Sequence, residues 1–445
     1  MAVLCGLALT IALLIAAVLN NIYLGFPLLG SYLYFAALAS KRGHDCAHIA
    51  AMSWEGAKKA FIVIPILLAL GCLTAMWMAG GTVAAFVYYG LSLISPPLFL
   101  FIAFLATSAL SLLLGSSLGA VGAIGVLLMA IARGGNVNPY MAAGVIISAA
   151  YVGDRCSPMA SALHLLSAVT ETDIYRNIKM ALSTTVGPFL LTALLYLPLS
   201  LLNPLTAGET ALRQDIAAYF NIGFLPVAPA LIIVILCCFK ANVKVSMLIS
   251  ACGAGLIAFF AQGVSLSAIF SALLWGFEPE AGSSLAGIIH GGGLWSMLKP
   301  SLILLIACAL SGILLGADAL SGLERLLLKP CGRFKLYLKT LAVGLLGICC
   351  GCNQSLAIVI CAQVLEKPYK QNGFDRYDLA RDISLTILPL SAAVPWCIAS
   401  MVPTATLNMP LAQHLPYLFY PILLPLWYGF VEARNERKEA RKKNS

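Results

Sequence analysis

The sequence predicts an all-α polytopic membrane protein of about ten spans plus two re-entrant hairpins, arranged as two inverted repeats with paired broken helices. Three observations carry that prediction: an apolar composition, the placement of the few charges, and a recurrence of glycines and polar kinks at a fixed interval. Hydrophobic residues make up 61% of the 445 and charged residues 10%, with a mean hydropathy of +0.94, whereas about a quarter of a soluble domain is charged. A spanning helix needs roughly 20 apolar residues. Val3 to Leu19, Phe61 to Ala79, Leu182 to Leu202, Val227 to Phe239 with its flanks, and Ser301 to Gly316 each provide such a stretch. The first has no basic n-region and no A-x-A-like cleavage site, so it reads as a span rather than a signal peptide.

Charge orients the bundle, because cytoplasmic loops collect Lys and Arg. Lys41, Arg42, Lys58 and Lys59 form one cluster, Arg176 and Lys179 a second, Lys240 and Lys244 a third. Arg325, Lys329, Arg333, Lys335 and Lys339 follow, then Lys367, Lys370, Arg376 and Arg381, and finally a tail with Arg434, Arg437, Lys438, Arg441, Lys442 and Lys443. Together these hold 23 of the 27 basic residues. One topology puts them all on the cytoplasmic side of a plasma (inner) membrane, with both termini inside. The net charge of +9 is then a topology signal, and no nucleic-acid partner is expected. The fourteen cysteines lie mostly within apolar runs, where Cys behaves as a small hydrophobe. Cys349, Cys350 and Cys352 are the dense cluster, but no second ligand pair follows, so packing explains them better than a metal.

An offset of 236 superposes Gly80 on Gly316, Gly115 on Gly351 and Ile147-Ser148 on Ile383-Ser384. Each half then shows an apolar span, a glycine turn, a second apolar stretch, a small polar kink and a broken helix. The charge assignment places Tyr88 to Phe99 outside and its counterpart Glu324 to Lys335 inside, which inverts the repeats. The expected organisation is an N-terminal span (1–21), a first repeat (22–203), a connecting segment (204–257), a second repeat (258–431) and a basic tail (432–445). Asn203 to Asn221 is the expected outer linker and Gly276 to Gly293 a second polar outer loop. Inverted repeats with discontinuous helices are the usual layout of secondary transporters, whose breaks meet near the midplane and bind substrate or coupling ion.

The candidate site residues lie in these breaks. Gly115, Ser116, Ser117 and Gly119 let the backbone unwind and offer carbonyls to a cation, or else pack two helices closely. In the second half Asn353 and Gln354 carry amides that need partners in hydrocarbon. Gly153 to Pro158 is a charged break in apolar sequence, with Asp154 and Arg155 side by side. Either they neutralise each other, which requires unwound geometry, or Asp154 titrates as the coupling carboxylate. Ser157, Ser161 and His164 share one helical face, expected to look into the bundle, where His164 is either a proton relay or a hydrogen-bonded core histidine. Ser384, Thr386, Ser391 and Trp396 surround Pro389 and Pro395 in the second break. Asp318 reads as an interfacial cap and His290 as a loop residue. H-E-x-x-H, Walker A and G-x-S-x-G signatures are absent, which argues against an enzyme.

These residues resemble the NhaC family of Na⁺/H⁺ antiporters, from about Phe26 onward. Ser117 to Ala132, Ala143 to Tyr151 and Gly153 to Ile174 are similar to that family's G-T-S-W-G-T-x-G-T-x-G, A-G-A-I-I-S-G-A-Y and G-D-K-x-S-P-x-S-D-T-T-N stretches, and Val394-Pro395-Trp396 to its I-P-W-N. The chain departs at Ala160-Ser161-Ala162-Leu163-His164, where the family has S-D-T-T-N, and at 383–388, where both acids of L-E-D-A-G-T are gone. Cys397 replaces the Asn after Trp396. Hard Na⁺ prefers several oxygen ligands, so these losses weaken a sodium site and leave Asp154 as the retained acid.

The resemblance implies an antiporter-like exchanger working by alternating access, with H⁺ and Na⁺ as transported or coupling ions and no cofactor. The alternative is an H⁺- or Na⁺-coupled carrier of a small organic acid or amino acid, with Arg155 on the substrate carboxylate. A polytopic enzyme or a channel are the other classes considered. Expected partners are the bilayer, a small cation or small organic substrate, and, among assemblies, a homodimer.

Overall fold

The computed structural model describes residues 2–20, 22–206, 209–239, 241–279, 285, 289–316 and 331–443. The expected cap at Asp318 lies outside them. Among the described residues the chain is helical, with one isolated antiparallel bridge, Phe277 to Gly291, pinning the second polar loop. The expected linker carries a helix, Glu209–Tyr219. Among the described residues five helices are long and apolar enough to cross a membrane, or up to seven if each bent pair is one span.

Thirteen helices position the site. They are α1 (Cys46–Lys58), α2 (Ala60–Ala79), α3 (Phe99–Leu114), α4 (Ser117–Gly134), α5 (Pro139–Cys156), α6 (Ser161–Val169) and α7 (Ile174–Leu202). Then come α8 (Leu298–Gly316), α9 (Arg333–Gly351), α10 (Gln354–Gln371), α11 (Arg376–Leu390), α12 (Ile398–Thr406) and α13 (Phe419–Lys443). Their starts are encoded locally. Asn138 accepts from the Tyr140 amide ahead of Pro139, Asp173 accepts from Arg176 N, and Asp375 with Asp378 forms a capping box. Away from the breaks, α1 and α8 touch through glycines. A Cβ on Gly56 would lie 2.2 Å from the Cys308 carbonyl oxygen, and one on Gly312 2.2 Å from that of Met52.

The repeat is real in the helices, but its register is 237 rather than 236. Ser117 pairs with Gln354, Gly134 with Gln371, Pro139 with Arg376, Ser161 with Ile398 and Val169 with Thr406, every pair 237 positions apart. Gly115 therefore corresponds to Cys352, not Gly351. Both end their helices in the left-handed region, at φ 64° and 51°. The glycine match misleads by one position because a cysteine carries the conformation that glycine usually supplies. Glu171 and Asn408, another pair at this interval, both have φ 51°.

Contacts at the two ends show that the broken helices run antiparallel. Just past α6, Glu171 pairs with Arg376 at the start of α11, and the Arg176 guanidinium lies 3.7 Å from the Tyr377 ring centroid. At the opposite end Arg133, in the last turn of α4 before α5, donates from Nη2 to the carbonyls of Leu407 (2.9 Å) and Asn408 (3.1 Å), just past α12. The α11 segment and α12 meet at 44°. The α5–α6 pair runs antiparallel to it.

The second repeat also holds an ion cluster not anticipated from sequence. Asp382 is fully buried on α11 and takes both Arg333 Nη atoms, the Nη2 contact at 2.7 Å, and the Tyr369 hydroxyl at 2.5 Å. Arg381 joins it at 3.4 Å and reaches Glu432 of α13 at 2.9 Å. Removing one member strands the others. Asp382→Asn is expected to destabilise the protein by about 3–5 kcal/mol, seen as a lower thermal unfolding midpoint in detergent. An unchanged midpoint would show that the cluster contributes nothing to the fold.

Candidate functional site

In each repeat two backbone breaks cross. A Cβ on Gly115 would lie 2.6 Å from the Met159 carbonyl carbon and 2.9 Å from Ala160 N, so the α3–α4 turn sits directly on the α5–α6 turn. In the second repeat Ile398 N donates to Cys352 O at 2.9 Å, and Trp396 Nε1 donates to Cys349 O at 2.9 Å. The N-termini of α4, α6, α10 and α12 thus begin at the crossings, where unpaired amides and partial positive charge favour anionic groups.

Asp154 uses one of these termini. Ser117 N donates to Oδ1 and Ser117 Oγ to Oδ2, each at 2.7 Å, so the carboxylate sits on the first turn of α4. Ser116 caps the same turn by accepting from Gly119 N at 3.2 Å. Asp154 is not fully buried, and Pro158 and Met159 at the break that follows are exposed. Its counterpart 237 positions on is Ser391, whose hydroxyl returns to Leu388 O. The acid therefore belongs to the first repeat alone.

This geometry depends on Gly153. A Cβ there would lie 2.1–2.3 Å from Oγ, O and C of Ser111, because α3 and α5 touch backbone to side chain at that residue. Ser111 Oγ donates to Ala150 O just above. Gly153→Ala must push the two helices apart, and we expect a loss of about 1–3 kcal/mol with displacement of Asp154 from Ser117. Wild-type stability and exchange in that variant would contradict the packing.

Asp154 and Arg155 do not pair. Helix α5 stays regular through Cys156 and breaks only at Ser157, so adjacent side chains point apart, and mutual neutralisation is replaced by two separate assignments. Arg155 is 1% exposed. Its Nε donates to Ser384 O (3.2 Å) and Oγ (3.1 Å), Nη1 to Ala181 O (3.1 Å) and Thr185 Oγ1, and Nη2 to Thr184 Oγ1. Thr185 Oγ1 further contacts Tyr420 Oη at 3.2 Å. A guanidinium held by neutral oxygens thus staples α5 and α7 of the first repeat to α11 of the second.

The other candidate residues divide. Ser157 ends α5 and accepts from Met159 N at 3.2 Å. Ser161 and His164 are exposed, so their face does not look into the bundle. His164 Nε2 instead meets Pro158 O at 2.9 Å, a carbonyl that the proline break frees. The equivalent α12 is enclosed, with only Ala405 partly exposed. Asn353 caps α10 through Ser355 N (2.8 Å), and Gln354 Nε2 donates to Leu388 O at 3.3 Å. Thr386 back-bonds to Asp382 O at 2.7 Å within α11, away from the crossing. Sequence reasoning missed Tyr151, whose hydroxyl donates to Ala399 O and ties α5 to α12. It also missed Thr184 and Thr185, whose only sequence signal was two hydroxyls in an apolar span. No group of three His, Cys, Asp or Glu residues suited to a metal occurs among the described residues.

The architecture of crossed breaks extends through a recognised sequence match: residues 149–431, from five positions before Asp154 through the second repeat, match the Na⁺/H⁺ antiporter family. The chain belongs to that family. Among relatives of this antiporter family member, a Haemophilus influenzae Na⁺/H⁺ antiporter, itself uncharacterized, is 28% identical over 91% of this chain and 88% of its own. The malate-2H⁺/Na⁺-lactate antiporter of Bacillus subtilis is 26% identical over 84% and 82%. The Na⁺/H⁺ antiporter NhaC of Alkalihalophilus pseudofirmus is 28% identical over 83% and 81%. As a member of the antiporter family the protein is a multi-pass membrane transporter and not an enzyme.

Proposed function

We propose that the protein exchanges protons for a small cation, Na⁺ first among candidates, by alternating access across the plasma (inner) membrane, with the basic Arg376 face and both termini in the cytoplasm. One observation carries the reading: Asp154, bound to Ser117 at the crossing of two breaks and still partly exposed, is an acid that a proton and a metal cation can occupy in turn. The helix N-terminus holds it when it is ionised, and neutralising cargo releases that hold.

A second reading, coupled carriage of a small organic acid or amino acid, draws support from Arg155, a buried cation whose contacts are all neutral, and from the malate/lactate relative. Purified protein in liposomes with imposed pH and Na⁺ gradients tests the first reading. Each gradient is expected to drive the other ion. If neither does, cation–proton exchange is wrong, and imposed malate or lactate gradients then test the second.

A further inference from the structure

Four basic residues lie outside the cytoplasmic clusters: Arg133, Arg155, Arg213 and Lys299. Arg155 is consumed in the staple, and Arg213 stacks on Tyr88 at 4.4 Å. Arg133 is different. It lines a cleft that opens to solvent between α2, α4, the 290–293 loop and the end of α12. Nη2 is held by the Leu407 and Asn408 carbonyls, whereas Nε and Nη1 have no hydrogen-bond partner and no acid among the described residues. Its counterpart 237 positions on, Lys370, is neutralised by Glu366 at 2.9 Å. Among the described residues the cleft walls carry no Asp or Glu; they offer Thr74, Ser296, Asn408 and His290 between methionines.

A guanidinium with no acidic partner among the described residues, on the face where basic residues are few, runs against the charge rule for membrane loops. A half-buried guanidinium held through Nη2 alone, with Nε and Nη1 still available over a mostly apolar cleft, offers separate charge-assisted donors to a small anion. We propose that this cleft is an entry subsite for a small carboxylate anion, with Arg133 as its anchor and the neighbouring hydroxyls and amide as orienting contacts. The inference rests on the alternating-access reading but not on Asp154: it adds a carboxylate cargo to the cation exchange and places it at the face opposite Arg376.

The test is binding of L-lactate and L-malate to the purified full chain in detergent, with methyl lactate as the uncharged control. Saturable binding of at least one acid, none of the ester, and affinity about tenfold or more weaker in Arg133→Gln are expected, since a lost charge-assisted hydrogen bond is worth about that factor. Arg133→Lys should keep part of the affinity. Because Arg133 also holds the end of α12, Ser296→Glu provides a second variant: at this exposed rim position it puts a competing carboxylate into the cleft without touching those carbonyls. It should weaken binding as much. Asp154→Asn should bind the acids as wild type does, so failure of ion coupling and failure of this subsite read differently. No binding by the wild type, or unchanged binding in both Arg133→Gln and Ser296→Glu, overturns the proposal.

Discussion

Arg155→Leu is expected to destabilise the protein by about 2–4 kcal/mol and to abolish exchange, because one side chain joins α5, α7 and α11 through five oxygen contacts. Two effects oppose each other. Removing a buried charge recovers desolvation free energy, but the acceptors that faced it lose their donors. Thr184 Oγ1 also reaches Met180 O at 2.7 Å and Thr185 Oγ1 reaches Tyr420 Oη at 3.2 Å, and both can keep those bonds, so the loss falls mainly on Ser384, the contact that bridges the repeats. Arg155→Lys discriminates between charge and geometry. An ammonium keeps the positive charge but cannot reach Ser384 and Thr184 from opposite edges, so it should recover little of the stability. Thermal unfolding in detergent reads the first effect and liposome flux the second; a leucine variant as stable as wild type would remove the staple from the account.

Asp154→Asn should do the reverse: keep the fold and lose coupling. An asparagine can still accept from Ser117 N through its oxygen, and its amide can donate to Ser117 Oγ, so the cap on α4 survives and stability should stay within about 1 kcal/mol. What disappears is the negative charge. Dye-reported proton movement driven by a Na⁺ gradient is expected to fall to background, while Asp154→Glu, with its carboxylate displaced by one methylene, should retain a reduced rate. A folded asparagine variant with undiminished driven exchange would take Asp154 out of the mechanism.

The parts of this structure that local chemistry dictates were legible in the sequence. Pro158 and Pro395 mark the breaks, Asn138 and Asp375 mark helix starts, and the antiparallel repeats follow from where the basic residues lie. Positions that depend on a distant partner were not. Asp382 looks like one more acid beside Arg381 until Arg333, 49 residues away, is seen against it. Thr184 and Thr185 look like ordinary back-bonding threonines until Arg155 reaches them. The repeat register slipped because Gly351 is the obvious match to Gly115, whereas the fold places Cys352 in the left-handed position. The Ser161 and His164 face was expected inward because polar groups avoid lipid, but His164 turns back to the Pro158 carbonyl at an exposed break, and the sequence gives no sign of that exposure.

The most direct test of Asp154 as a carboxylate that a proton and a cation occupy in turn needs no membrane. Purified protein in unbuffered solution, with a pH dye present, is titrated with Na⁺. Saturable proton release from the wild type, absent in Asp154→Asn and not reproduced by a bulky organic cation at equal ionic strength, is the result expected. Release of the same size from the asparagine variant, or none from the wild type, would contradict it.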